Sequence, residues 1–392
     1  MKLGYINSSK EEQARVLQVL KLTSESVALD ELGIGRIRDA FADLMFPGTS
    51  TLQKHIKYFS LLPQIYKKAM ERSYNRISEV RAEIIRLERI MTRNLCEGSP
   101  SASGITGSEM VNRSATSYVK YDPAYIYNSG LQIFGILKSA QLYGQIYAAS
   151  NALHKAVKRY KSNEEDVADD ATEMGGLFQF CSFPSVDYDF TKGCSLELTK
   201  EEQDFITGHI LNAEACKGTL FRYFVDNPNI AMPDRFDEIN TNQLPAEIAN
   251  IQSLARKFAD FVYILHIRYN YIFSEYKDKE MMDEFNEEVK KYKDSGTDIT
   301  TVLDAVRVSE NSCKAFCINA EKHMLSDNIT EGCELDQCII QREQRIKGSR
   351  RKIGNPSYFY DSKRRVHYYK LTYRWDTVRQ LISELRGEVH NG

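Results

Sequence analysis

Apolar residues recur every three or four positions through much of the chain, a spacing typical of amphipathic helices. The clearest early example starts behind Asp30, a residue type that caps helices, and ends at Pro47-Gly48. Its apolar positions share one helical face: Ile34, Ile37, Phe41 and Leu44. A second helix is predicted behind Thr49-Ser50-Thr51 up to Leu62, where Pro63 bends or ends it.

The same periodicity predicts helices along most of the remaining chain. They are expected at residues 64–95, from Asp122-Pro123 onwards, and at 245–276, 280–292, 297–325 and 376–385. Near the start of the chain, residues 3–7 read as a short strand. Ser9 and Glu12 form a capping box for a helix that reaches Leu22.

Near the C-terminus, the pattern of apolar and polar residues differs from the helical spacing. The stretch "SYFYDSKRRVHYYKLTYRW", residues 357–375, reads as strand, polar turn and strand. We therefore predict a mainly α, multi-helix protein with a small C-terminal β-hairpin, a winged-helix-like element.

Composition divides the chain into three regions. Residues 1–95 form an N-terminal helical region, and residues 96–242 form a Tyr-rich helical and irregular middle that begins with a Gly/Ser-rich loop. Residues 243–392 form a helical region that ends in the basic, aromatic hairpin. We predict these three as the domains of the protein.

Composition and charge exclude several classes of protein. Hydrophobic residues make up 42% of the chain and the formal net charge is −2, as in ordinary globular proteins. No apolar run is long enough to span a bilayer, and no signal peptide is recognisable, so we expect a cytoplasmic protein that does not bind membranes. The eight cysteines are expected to be free thiols. The pairs Cys313/Cys317 and Cys333/Cys338 are too widely spaced for a typical zinc site, so we predict no metal and no cofactor.

Basic residues are concentrated at the C-terminal end. Residues 341–380 hold 12 Lys and Arg against three acids, with seven aromatic residues among them. This combination suits phosphate contact and base stacking, although a sheet whose charges only keep it soluble is the alternative. We predict that Lys363, Arg364, Arg365 and Arg374 bind nucleic acid. The predicted helix at residues 64–95 also carries an excess of four positive charges, which favours an anionic partner.

The stretch "LGIGRIRDAFADLMFPGTSTLQKHIKY", residues 32–58, offers two candidate phosphate anchors. Gly33 and Gly35 at a helix start expose backbone N–H groups, reinforced by Arg36 and Arg38. A second anchor is formed by the hydroxyls and amides of Thr49, Ser50 and Thr51, followed by Gln53, Lys54 and His55. The alternative is that the glycines allow close helix packing and the threonines are helix caps.

Two carboxylates lie between these anchors. Asp39 and Asp43 are one helical turn apart, and hydrolysis of an N-glycosidic bond needs a carboxylate near the anomeric carbon. Both residues are therefore candidate catalytic groups. Ion pairing and surface solvation are their alternative roles.

Residues 32–58 resemble part of a helix-hairpin-helix, the phosphate-binding element of many DNA repair enzymes, although Ala40 departs from its pattern. A closer resemblance covers "DELGIGRIRDAFADLMFPGTSTLQKHIKYFSLLP" and, more faintly, "KLTYRWDTVRQLISEL". Together these resemble a bacterial family of unknown function that is associated with phage defence and with anti-phage DNA glycosylases acting on modified cytosines.

The resemblance implies a DNA-binding anti-phage protein that hydrolyses the N-glycosidic bond of a modified base in double-stranded phage DNA. Its partner would be that DNA. A monofunctional mechanism, with water as the nucleophile, is expected because no lysine stands out as a Schiff-base candidate. Two alternatives remain open: a non-catalytic DNA-binding subunit of a helicase or nuclease system, and a protein-interaction factor.

Overall fold

The computed structural model describes residues 30–111, 118–161, 179–308, 311–327 and 329–388. These ranges contain 13 α-helices and no β-strand, so the prediction of a mainly helical protein is confirmed. The strand predicted at residues 3–7 and the helix predicted from Ser9 lie outside the described residues.

We number the helices in chain order. The first seven are α1 (Gly35–Met45), α2 (Tyr58–Met70), α3 (Ile77–Gly98), α4 (Pro123–Ile133), α5 (Leu142–Lys161), α6 (Lys200–Asn212) and α7 (Leu220–Asp226). The others are α8 (Ala246–Phe273), α9 (Lys279–Asp294), α10 (Ile299–Asp304), α11 (Asn311–Met324), α12 (Glu334–Lys347) and α13 (Trp375–Arg386).

Packing groups the chain into two compact units. Unit 1 comprises Met1–Ala42, described from Asp30 onwards, and Asn240–Tyr373. Unit 2 comprises Asp43–Ile239 and Arg374–Gly392. The three regions expected from composition stay a prediction.

Unit 1 is built around α8. Every residue of this helix from Ile264 to Ile272 is buried, and α9, α10 and α12 pack against it. Arg268 forms a fully buried ion pair with Asp336 of α12, with 2.6 Å between Nε and Oδ1. Both charges have further hydrogen bonds, because the guanidinium also donates to the carbonyl of Thr330 and the carboxylate also accepts the N–H of Gly332. Removing either partner would leave an uncompensated buried charge, so this pair joins α8 to α12.

Unit 2 is built around α2. Its residues are buried on nearly all sides, and α3, α4, α5 and α6 pack against it. Lys57, just before α2, donates to Glu202 of α6 in a buried pair, and Ser60 donates to the same carboxylate. Glu202 also completes a capping box with Thr199 at the start of α6.

The predicted C-terminal β-hairpin is wrong, and with it the winged-helix-like element. Residues 357–374 form successive turns in which His367, Tyr373 and Arg374 have left-handed backbone conformations that a strand does not allow. The side chain of Asn270 on α8 also takes both hydrogen bonds of the Val366 backbone, one at its N–H and one at its carbonyl, each 2.8 Å long. The Asn270 side chain thus occupies the backbone groups of Val366 that a partner strand would otherwise bond.

Three predicted helices also need correction. The helix behind Thr49-Ser50-Thr51 begins only at Tyr58, so these residues form turns rather than a helix start. That helix continues through Pro63 to Met70, and the predicted helix at 64–95 is broken between Met70 and Ile77. The stretch predicted as one helix at 297–325 forms α10 and α11.

Candidate nucleic-acid interface

Asp30 occupies the backbone donors at the start of α1. Its Oδ2 accepts the N–H groups of Ile34 at 2.6 Å and Gly35 at 2.8 Å, and its Oδ1 accepts the N–H of Leu32 at 3.0 Å. The sequence predicts that Asp30 caps this helix, and the geometry agrees. A phosphate could reach these N–H groups only by displacing a buried carboxylate of the same chain.

The two glycines of this loop have different roles. Gly33 has φ +62°, and a Cβ there would lie 2.9 Å from Ile346 Cδ1. Gly33 also presents its carbonyl to Arg342, as does Leu32. Gly35 has an ordinary φ and room for a Cβ. Close packing against α12 and a left-handed backbone thus explain Gly33, whereas neither explains Gly35.

Glu31, beside Asp30, lies at the centre of a buried cluster that the sequence analysis did not identify. Its Oε2 is 2.6 Å from His367 Nε2, and its Oε1 is 3.0 Å from Lys352 Nζ. Burial raises the pKa of this carboxyl, but the hydrogen bonds and charges of His367 and Lys352 outweigh it and bring the pKa to about 2. Lys352 and His367 belong to the C-terminal basic segment, so part of that segment serves unit 1 internally.

The two candidate catalytic carboxylates both lie in ion pairs. Asp39 is 3.0 Å from the guanidinium of Arg38, and both side chains are about one-third exposed. Asp43 is 65% exposed and lies 2.7 Å from Arg374. Arg36 is exposed on the same helix. The structure therefore brings Arg374 and Asp43 together within unit 2, a pairing that the sequence does not indicate.

The hydroxyl anchor is mainly engaged in its own turn. Thr49 is buried, donates its hydroxyl to the carbonyl of Phe46, and accepts a hydrogen bond from Arg374 at its own carbonyl. Ser50 exchanges hydrogen bonds with Gln53, whose amide also bonds the carbonyl of Gly48. Only Thr51 of the three hydroxyl residues is exposed.

His55 and the backbone of Lys54 also have structural partners, although the Lys54 side chain is exposed. The Tyr127 hydroxyl bonds the backbone of both residues. The His55 ring lies between two acceptors, Glu384 Oε1 at 2.8 Å and the Ser103 carbonyl at 2.7 Å. Both ring nitrogens must donate, so the bound form is the imidazolium. Burial lowers the pKa of His55, but the bond to Glu384 and its charge raise it above its ordinary value overall.

The C-terminal basic segment, residues 341–380, contains paired and unpaired cations. Arg365 bonds Asp278 and Glu280, Lys370 bonds Asp260, and Arg379 bonds Asp234. Four more cations have internal partners. Arg342 donates to the Leu32 carbonyl, Lys347 and Lys352 lie beside Glu31, and Arg374 pairs with Asp43. The other five of the 12 form no ion pair among the described residues, and we call them the free cations: Arg345, Arg350, Arg351, Lys363 and Arg364.

The free cations share their segment with an exposed aromatic side chain. Phe359 is 87% exposed, four residues before Lys363. Turns hold this stretch in place: Tyr360 bonds Asp278, and Asp361 accepts the N–H groups of Lys363 and Arg364. This hydrogen-bonded stretch thus presents an exposed ring and two cations that form no ion pair among the described residues.

The eight cysteines are free thiols that differ in burial. Cys313 and Cys317 are fully buried, and the hydrogen bond between the two thiols together with burial raises the pKa of Cys317. Cys333 and Cys338 are partly exposed. Across the described ranges, no group of three or more His, Cys, Asp or Glu residues could hold a metal ion. The expected lack of a metal or cofactor stays a prediction.

The N-terminal part of the chain is similar to a known family. The model of a family of unknown function, DUF6361, matches residues 1–172, which include the candidate anchors and α1 to α5. Its description assigns no activity, so the link to phage defence stays a prediction. No curated protein and no solved structure matches the chain. Among the described helices, none is both long and apolar enough to cross a membrane.

Proposed function

We propose that this protein binds DNA through its C-terminal basic segment. The observation that carries the proposal is the set of free cations in one segment with an exposed aromatic ring. Surface cations that already have a carboxylate partner gain little from a phosphate, because the existing pair must first be broken. The free cations carry no such cost, so Arg345, Arg350, Arg351, Lys363 and Arg364 are the side chains expected to contact phosphates.

Neighbouring cations of one short stretch differ in ion pairing, which allows a matched test. Lys363 and Arg364 are exposed and unpaired among the described residues, whereas the neighbouring Arg365 is nearly buried against Asp278 and Glu280. Binding of fluorescently labelled duplex DNA is measured by anisotropy across a range of salt concentrations. The variants are Lys363→Ala/Arg364→Ala and, as a matched control, Arg365→Ala.

The magnitude follows from counterion release. Each phosphate neutralised on duplex DNA contributes about −0.9 to the slope of log K against log salt, so five contacts give a slope of at most about −4.5. Removing two contacts brings the slope to about −2.7. Arg365→Ala should leave the slope unchanged. An unchanged slope in the double variant, or an equal loss in Arg365→Ala, contradicts the proposal.

The activity that we propose to accompany binding is hydrolysis of the N-glycosidic bond of a modified base, with Asp39 or Asp43 as the catalytic carboxylate. Both ion pairs are partly exposed, and such pairs contribute only about 0–1 kcal/mol, so either carboxylate can be released at small cost. Water would act as the nucleophile. The alternative is a DNA-binding subunit that delivers a partner enzyme.

Incubation with differently modified DNAs, followed by detection of abasic sites, distinguishes the two. Asn at the catalytic position should lower base release by about 10²-fold or more, since an acid–base group is lost. DNA affinity should be kept, because the substitution removes a negative charge near phosphate. Full activity in both Asp39→Asn and Asp43→Asn would place the carboxylate elsewhere. Absence of base release by the unmodified protein from every DNA favours the delivery subunit.

A further inference from the structure

A cavity of about 280 Å³ lies beside α3 in unit 2. Three arginines of α3 line it: Arg86, Arg89 and Arg93. Tyr118 and the apolar side chains of Ile90 and Met110 form other parts of its wall. None of the described residues that line it carries a carboxylate. The cavity therefore combines a cationic side with an aromatic and apolar side.

Residues 64–95 contain four acids, and three of them form ion pairs with basic residues other than Arg93. Glu71 pairs with Lys68, Glu79 lies beside Arg76, and Glu83 holds both Arg72 and Arg86. The remaining acid, Glu88, is fully buried, and its Oε1 accepts the N–H of Ala124 at 2.7 Å. Among the described residues, none of these four acids forms an ion pair with Arg93.

The three arginines differ in their freedom to bind a ligand. Glu83 fixes the Arg86 guanidinium through two hydrogen bonds of 2.9 and 2.6 Å. The Arg89 guanidinium lies 5.8 Å from the centre of the Tyr118 ring. Arg93 is exposed and forms no ion pair within the described ranges. Arg93 is therefore the cation available to an incoming anion, next to an arginine–tyrosine wall suited to a planar ring.

We infer that this cavity binds a nucleoside monophosphate, with the phosphate at Arg93 and the base against the wall formed by Arg89 and Tyr118. The volume is close to the lower end of ligand sites, about 300 Å³, which suits one nucleotide and not a larger cofactor. Guanidinium groups recognise phosphate through charge-assisted, bidentate hydrogen bonds. The inference is independent of the free cations, since those belong to unit 1 and all of the cavity residues named here belong to unit 2.

Isothermal titration calorimetry on the full chain tests the inference with dCMP, deoxycytidine and inorganic phosphate as separate probes. We expect dCMP to bind more tightly than either component, because it alone engages both sides of the cavity. Arg93→Ala should weaken dCMP binding by about tenfold or more, since a charge-assisted contact is lost. The matched control is Arg81→Ala, an exposed arginine of α3 that does not line the cavity and should not change binding.

Absence of dCMP binding, or equal losses in Arg93→Ala and Arg81→Ala, overturns the inference. Inorganic phosphate that binds as tightly as dCMP also overturns it, since the wall would then contribute nothing. Unchanged thermal unfolding shows that Arg93→Ala remains folded. A short oligonucleotide that competes with dCMP would show that the cavity accepts a nucleotide within a polymer. An oligonucleotide that does not compete would show that the cavity accepts the free nucleotide. Both results support a nucleotide site.

Discussion

Replacing Asp30 tests whether the loop before α1 is held by its own carboxylate. Asp30 is buried and accepts three backbone N–H groups, those of Leu32, Ile34 and Gly35. Asp30→Ala leaves all three donors without this acceptor. Asp30→Asn keeps the shape but offers only one acceptor oxygen, so at least one donor faces an amide NH₂ group.

The expected loss in the free energy of unfolding follows from the number of N–H groups left without an acceptor. A buried donor left without a partner costs about 1–3 kcal/mol. Asp30→Asn should therefore lower the free energy of unfolding by about 1–3 kcal/mol, and Asp30→Ala by about 3–6 kcal/mol, water entry reducing the larger figure. Urea denaturation measures both values, provided that the slope with urea is unchanged.

A matched carboxylate elsewhere separates this effect from the loss of any carboxylate. Asp361 is exposed, and its side chain accepts the N–H of Lys363, a donor that water can satisfy. Asp361→Asn should change stability by less than about 0.5 kcal/mol. Equal effects at the two positions, or an Asp30→Ala variant as stable as the original chain, would refute the reasoning. Restored stability of Asp30→Ala on addition of phosphate would show that the emptied loop accepts an anion.

Two further predictions concern His55 and the glycines of the loop. Because the pKa of His55 is raised on folding, its stabilising contribution is complete below its unfolded pKa of about 6.5 and is lost as pH rises through the folded value. Urea denaturation should therefore show a lower free energy of unfolding at about pH 8 than at about pH 6, and this difference should be smaller in His55→Gln. An equal difference in the original chain and in His55→Gln contradicts the assignment of His55 as an imidazolium. Gly33→Ala should destabilise by about 1–3 kcal/mol because of its positive φ and the close contact with Ile346, whereas Gly35→Ala should be nearly neutral; the reverse order would refute this assignment.

Local sequence signals determined the helical elements of this protein. The three-to-four-residue spacing of apolar residues located α1, α8, α9 and α13 to within a few residues. The cap at Asp30 and the stop at Pro47-Gly48 were also readable, because capping and helix termination depend on neighbouring residues alone. The spacing of Cys313 and Cys317 likewise indicated two buried side chains on one helical face.

The tertiary structure decided which polar groups remain available. Alternation of aromatic and polar residues at 357–375 predicts a hairpin, but Asn270 on a distant helix binds the Val366 backbone and replaces the partner strand. Composition counts 12 cations in the C-terminal basic segment, yet it cannot show that Asp278 and Glu280 engage Arg365 while Lys363 and Arg364 stay exposed. Helix formation is set by residues a few positions apart. The pairing of Arg365 is set by contacts with residues about 90 positions away, which only the folded chain brings together.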